Sequence, residues 1–250
     1  MHILPGILES SFNAIEERVE EVSHSVEKVQ VDICDGLFVQ SKTWPYSGMI
    51  TGRIEENFHI QQLLAEDIGL PLWDKIEYQF DLMIKDPWRT MEVWAQIGAS
   101  SVVIHPTSCE SIPQVIQTIE QAQSFLLDVY LAYTYDEWMA AHSTPEKAKE
   151  TASLFTDYGV KGIQCMTIAK IGVQGQKFDE RWVSELAARQ DFFKAAHLKI
   201  QADGGIHEGV GEHHADDIFE IGADSVVIGS GIFGEGNPTE NVHFYKQLFS

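Results

Sequence analysis

Basic residues are scarce in this 250-residue chain, where 17 Lys and Arg stand against 38 Asp and Glu for a formal charge of −21. A surface of that sign repels nucleic-acid phosphates and anionic lipid headgroups, which excludes a binder that works by neutralising a phosphate backbone. Long apolar runs are missing too. Stretches such as Ser101 to Ile104 and Phe125 to Ala132 are far short of a bilayer span, and no basic segment followed by an apolar one opens the chain. A soluble, cytoplasmic protein with no membrane partner is the expectation. Cysteine is sparse as well: Cys34, Cys109 and Cys165 are odd in number and form no C-x-x-C pair, which argues against a disulfide framework and a zinc knuckle. They read as reduced core or pocket-lining side chains. No linker-like, low-complexity or compositionally distinct segment interrupts the sequence, so residues 1–250 read as a single domain.

What is present is an internal repeat. Ile97-Gly98-Ala99-Ser100-Ser101-Val102-Val103-Ile104-His105 returns as Ile221-Gly222-Ala223-Asp224-Ser225-Val226-Val227-Ile228-Gly229, identical at seven of nine positions, and Tyr158-Gly159-Val160-Lys161-Gly162-Ile163-Gln164 is a weaker copy. Each copy reads as a helix closed by a Gly cap and followed by a short strand buried on both faces. If the two strong copies lie four units apart, each unit has about 31 residues and the chain holds about eight, the size of a (β/α)₈ TIM barrel. Strand-like runs fall at Ile3–Leu8, Val29–Ile33, Ile76–Met83, Ser101–His105, Phe125–Ala132, Gly162–Thr167, Leu198–Ala202 and Ser225–Gly229. Phe12, Ile15, Val19 and Val22, and later Trp182, Leu186 and Phe193, recur at helical spacing. An open doubly wound sheet shares the alternation. The closed barrel fits better, because no dinucleotide fingerprint accompanies the strands, and no organic cofactor is expected.

In such a barrel the strand C-termini face the site. Alternation places Gln30, Asp32 and Cys34 on one face of the second strand and Gln79, Asp81 and Met83 on one face of the third, while Gln201-Ala202-Asp203 closes the seventh. A carboxylate in an apolar strand is costly unless paired, metal-bound or catalytic, and three at equivalent heights point to a site. Glycine-rich segments Gly172–Phe178 and Gly229–Gly234 follow strands six and eight. With Asp203-Gly204-Gly205 they supply bare backbone amides, which hold a phosphate without a basic side chain.

As a set, Val31-Asp32-Ile33-Cys34-Asp35-Gly36, Asp81-Leu82-Met83-Ile84, Met166-Thr167, Gly175-Gln176-Lys177-Phe178, Asp203-Gly204-Gly205-Ile206 and Gly229-Ser230-Gly231-Ile232-Phe233-Gly234 resemble the ribulose-phosphate 3-epimerase family in order and spacing, over nearly the whole chain. The resemblance implies a ribulose-phosphate-binding barrel and epimerisation of C3 in a phosphorylated ketopentose, D-ribulose 5-phosphate to D-xylulose 5-phosphate. By the same match, Asp32 and Asp203 are the two acid/base groups, Met83 and Met166 line the pocket, and Gly175, Gly205, Gly229 and Ser230 bind phosphate. A family metal site of two aspartates and two histidines maps onto Asp32, Asp203, Gln30 and Asp81. That donor set is harder than one with imidazoles, so Mg²⁺ or Mn²⁺ is favoured over Zn²⁺ if a divalent metal binds.

The departures are the missing histidines, Gly6 in place of a first-strand serine, Leu37 in place of a histidine, and Ala169-Lys170-Ile171 after strand six. They keep open an alternative, a related sugar-phosphate lyase or a sugar-phosphate-binding protein that has lost epimerisation. The expected partner in either case is a phosphorylated ketose, and a homo-oligomer is compatible with the sequence. His105 is a candidate substrate-side contact and His197 a surface residue. Tyr133 and Tyr135 are candidates for sugar contact or loop packing, and Lys170 for an electrostatic partner of the enediolate or phosphate. His213-His214 with Asp216 and Asp217 read as an exposed helix rather than a metal site. The six tryptophans read as packing residues.

Overall fold

The computed structural model describes residues 1–50, 52–173, 175–206, 218–219 and 222–250. Eight strands, β1 (His2–Ile7), β2 (Lys28–Cys34), β3 (Glu77–Met83), β4 (Ala99–Ile104), β5 (Asp128–Thr134), β6 (Gly162–Met166), β7 (Lys199–Asp203) and β8 (Ser225–Ile228), pair in parallel in chain order, and β8 returns to β1 to close the barrel. Every strand-like run of the sequence overlaps one of them. The two strong repeat copies are β4 and β8, which are four places apart in the ring and therefore face each other across it.

Local chemistry accounts for the alternation. Helix α1 (Phe12–Val22) starts where the Ser11 hydroxyl accepts the Ala14 N–H, and it buries Phe12, Ile15, Val19 and Val22, the four residues at helical spacing. Helices α2 (Phe58–Leu64), α3 (Met91–Gln96), α4 (Ile112–Ser124), α5 (Tyr135–Ala141), α6 (Pro145–Thr156) and α7 (Arg181–Ala195) follow, and α7 buries Trp182, Leu186 and Phe193. Gly98, Gly159 and Gly222 all have positive φ, as the repeat implies for a cap that reverses the chain into the next strand.

The outward strand faces, with Val31, Ile33, Phe80, Leu82, Ile104, Leu131, Ile163 and Val226, form the main core with the helices. Burial of Phe80, Trp94, Trp138, Trp182 and Phe193 in that layer fits the packing role expected of the tryptophans, whereas Trp73 is exposed. One run began too early. Phe125 to Leu127 belong to the turn that ends α4, where Leu126 adopts φ 64 and is exposed, so the apolar letters there serve a turn and the strand starts at Asp128. Among the described residues no helix is long and apolar enough to cross a membrane.

Candidate active site

The barrel interior is polar where barrels of this type carry branched apolar layers. Register brings Gln30 beside Gln79 and Asp32 beside Asp81 across β2 and β3, and Gln164 beside Gln201 and Met166 beside Asp203 across β6 and β7. Four glutamines thus form one layer, and three aspartates lie one step nearer the strand C-termini. Gln30 Nε2 donates to Asp32 Oδ1 at 3.0 Å and to Asp203 Oδ2 at 3.0 Å. Gln164 Nε2 donates to Asp81 Oδ2 at 2.9 Å and to Asp203 Oδ2 at 2.8 Å. His105 Nε2 meets Asp81 Oδ1 at 2.8 Å, with both side chains fully buried.

The polarity of this network follows from its top. An ionised carboxylate only accepts, so Gln30 and Gln164 must turn their NH₂ groups upward and their carbonyl oxygens down. Those oxygens meet Gln201 Nε2 at 3.1 and 2.6 Å, Gln79 Oε1 meets the same nitrogen at 2.8 Å, and Gln201 Oε1 accepts from the Ser225 hydroxyl at 3.0 Å. Turning Gln30 or Gln164 over would face one NH₂ with another and strand a buried donor, at a cost of about 1–3 kcal/mol.

Asp32 and Asp203 are the half-buried members whose carboxyls line the cleft, and Asp81 lies fully buried behind them. Burial, then the neighbouring Asp203 and Asp81 charges, hold the Asp32 carboxyl well above the usual carboxylate range. Burial and the Asp81 charge push Asp203 up to about 7, against the opposing Gln30 hydrogen bond and the His105 charge. Burial works against a charge on His105, but the Asp81 carboxylate overcomes it and raises the imidazole.

The cleft opens at the C-terminal ends of the strands. Asp32, Asp203, Met83, Met166, Gly175, Gly205, Gly229 and Ser230, singled out from the sequence as acid/base, apolar and phosphate residues, all line it. Asp35 fixes one rim by accepting the Leu37 and Phe38 amides on Oδ1 and the Lys85 amide on Oδ2. Gly205 has φ 74, and a Cβ there would lie 2.6 Å from the Phe178 backbone. Gly205→Ala is therefore expected to cost about 1–3 kcal/mol of stability by urea denaturation and to weaken sugar-phosphate binding, because the loop must move. At Gly6 a Cβ would lie 2.9 Å from Val227 Cγ1, so the serine of the family pattern has no room beside this valine.

Several expectations are corrected. Gln30, Asp32, Asp81 and Asp203 do come together, but they do not fit a divalent metal: the inward groups of Gln30 and Gln164 are N–H donors, and an imidazole takes one Asp81 oxygen. Among the described residues no group of His, Cys, Asp and Glu is arranged to hold a cation. His105 is not a substrate-side contact, because it is fully buried against Asp81 with the Phe38 ring 5.5 Å away. Tyr133 faces outward into the Trp138 and Phe155 cluster, and Tyr135 packs on Trp182 under Arg181, so neither reaches the cleft. Lys170 is exposed and is not among the cleft residues. His197 is on the surface, as expected. His213, His214, Asp216 and Asp217 lie outside the described residues. Gln164 was missed; its period-two relation to Met166 on a strand ending at the cleft was the available signal.

The fold and cleft define a closed (β/α)₈ barrel with carboxylates at its centre and glycine-rich strand ends at one rim. The family model described as the ribulose-phosphate 3 epimerase family matches residues 2–129 and 140–233, and the chain belongs to that family. It is 25% identical over 239 residues to the ribulose-phosphate 3-epimerase of Bacillus subtilis (strain 168), covering 94% of this chain and 93% of the relative. Identity to the ribulose-phosphate 3-epimerase of Aquifex aeolicus (strain VF5) is 26% over 235 residues, covering 93% and 89% of the two chains. The crystal structure of 3-hexulose-6-phosphate synthase from Salmonella typhimurium superposes with a TM-score of 0.66 at 15% identity, covering 100% of this chain and 98% of that one, a likeness of fold.

Proposed function

We propose that this protein epimerises C3 of a ketopentose phosphate, interconverting D-ribulose 5-phosphate and D-xylulose 5-phosphate. The observation that carries the reading is a pair of carboxyls at the cleft floor, bridged by one amide, of which Asp32 is held well above the usual range and Asp203 near 7. Inverting a carbon next to a ketone needs one group to take the C3 proton and a second to deliver a proton to the other face. Burial raises both carboxyls out of the usual carboxylate range, which favours a pair sharing one proton, the required starting state. In one direction Asp203, raised to about 7, removes the C3 proton to give the enediolate, and Asp32, held well above the usual carboxylate range by burial, delivers a proton to the opposite face of C3. In the reverse direction the roles exchange.

Met83 and Met166 flank the carboxyls and keep water from the reacting carbon. Gly175, Gly205, Gly229 and Ser230 present backbone amides to the substrate phosphate, and this suits a strongly acidic chain. The family relationship and the two epimerases matched along almost their full length support the same substrate class.

One observation favours a second reading, a sugar-phosphate lyase or binding protein on the same barrel: where the family pattern has two metal-ligating histidines, this chain has the N–H donor of Gln30 and the Asp81 carboxylate, which is taken up by His105 and Gln164. Incubation with D-ribulose 5-phosphate in D₂O separates the two. Deuterium entering C3 with formation of D-xylulose 5-phosphate is the expected result, and a bound sugar phosphate with no exchange at C3 would establish the second reading. The rate is expected to rise with pH through about 7, as the Asp203 carboxyl ionises.

A further inference from the structure

We infer that the site works without a resident divalent cation, because the amides of Gln30 and Gln164 take the cation's place in holding three carboxylates together. The inference deepens the epimerase reading and rests on it for what the site does. Its own content is structural. Asp81, fully buried, and the half-buried Asp32 and Asp203 share one barrel layer, where negative charges repel one another and something of positive sign must stand between them. A cation is one solution. Here the positive ends of two amide dipoles are the other: Gln30 Nε2 bridges Asp32 and Asp203 at 3.0 Å each, and Gln164 Nε2 bridges Asp81 and Asp203 at 2.9 and 2.8 Å. His105 Nε2 completes the set at Asp81 Oδ1, 2.8 Å away.

Each of the three acids thereby has an oxygen that accepts an N–H, and Asp203 Oδ2 receives two donors. A cation entering this layer would meet amide hydrogens on the side where it needs lone pairs. Nor are the amides free to invert, since their oxygens are tied to Gln201 Nε2 and that residue in turn to Ser225. The neighbouring Gln79 Nε2 is a further buried donor and has no hydrogen-bond partner among the described residues. The whole frame, from Ser225 through Gln201 to the two bridging amides, therefore presents donors to the acids from below.

Isosteric replacement by glutamate tests the assignment, since it keeps the oxygen that accepts from Gln201 and exchanges only the bridging N–H donor for a lone pair. Metal content is measured by inductively coupled plasma mass spectrometry after incubating wild type, Gln30→Glu and Gln164→Glu with Mn²⁺ and then desalting, with no substrate present. Wild type is expected to retain under about a tenth of an equivalent, and each glutamate variant to retain close to an equivalent, as a fourth carboxylate completes an oxygen site. A wild type that holds stoichiometric Mn²⁺ overturns the inference, and this measurement stands even if a variant fails to fold. Folded variants that bind no more Mn²⁺ than wild type overturn the role given to the amides. Because metal content is read without turnover, these outcomes are independent of C3 exchange, on which the epimerase reading itself is judged. Wild-type exchange is also expected to persist unchanged in EDTA, and its loss there would overturn the inference.

Discussion

Asp203→Asn is expected to lower turnover of D-ribulose 5-phosphate by about 10²–10⁴-fold and to abolish C3 exchange to a similar degree, while sugar-phosphate binding is retained. The reason is local. Asp203 Oδ2 accepts from both Gln30 and Gln164, so an asparagine can offer its single carbonyl oxygen to the same two donors and leave its NH₂ toward the cleft. The frame survives and only the base is lost. Asp32→Asn is expected to show a loss of similar size, since the second proton carrier disappears. The control is stability. A carboxyl whose folded pKa is raised binds its proton more tightly in the folded state, so its contribution falls as pH rises from the unfolded carboxylate range through the folded value. Asp203, raised to about 7, therefore makes the wild type less stable as pH climbs to neutrality, and Asp203→Asn is expected to flatten that slope in urea melts at several pH values. An asparagine variant that keeps wild-type turnover, with mass spectrometry excluding deamidation, would remove Asp203 from the chemistry.

His105→Leu is expected to destabilise the fold by about 3–5 kcal/mol, the cost of leaving one member of a buried ion pair without its partner. Asp81 and His105 are both fully buried at 2.8 Å, and neither lines the cleft. After the substitution Asp81 keeps its Gln164 donor but loses the charge that offsets its own. The pH dependence has a definite sign. His105 is raised in the folded state, so its stabilisation is complete below the unfolded histidine value and is lost as pH rises through the folded one. The gap between wild type and His105→Leu in denaturant midpoint should accordingly be largest in mildly acidic buffer and narrow as the solution becomes alkaline. A gap independent of pH would mean that the histidine acts by packing alone.

Much of the architecture was legible because the signals are short-range. Val-Val-Ile runs after a Gly cap, with apolar residues at helical spacing between them, report strands and helices through a handful of neighbouring residues. The barrel's closure followed from how many such units the chain contains. Errors fell where local chemistry is ambiguous: Phe125-Leu126-Leu127 have the composition of a strand and the backbone of a turn. Tyr133 shows the limit of the strand-end rule, since its place on β5 faces it outward into the helices.

The sequence by itself determined the barrel, the strand ends that carry chemistry, and Asp32, Asp203 and the glycine-rich rim as the residues around one cleft, since period-two alternation and chain order assign each residue to a face and a height. The tertiary structure alone decided what the acids touch. Gln30 and Asp203 are 173 positions apart in the chain, and Gln164 and Asp81 are 83 apart, yet each pair shares a hydrogen bond in the barrel interior. Whether a group of carboxylates holds a cation or is held by amides depends on which end of each amide faces it. That choice is made by a chain of donors and acceptors running across the barrel to Ser225, and it exists only once the eight strands have closed.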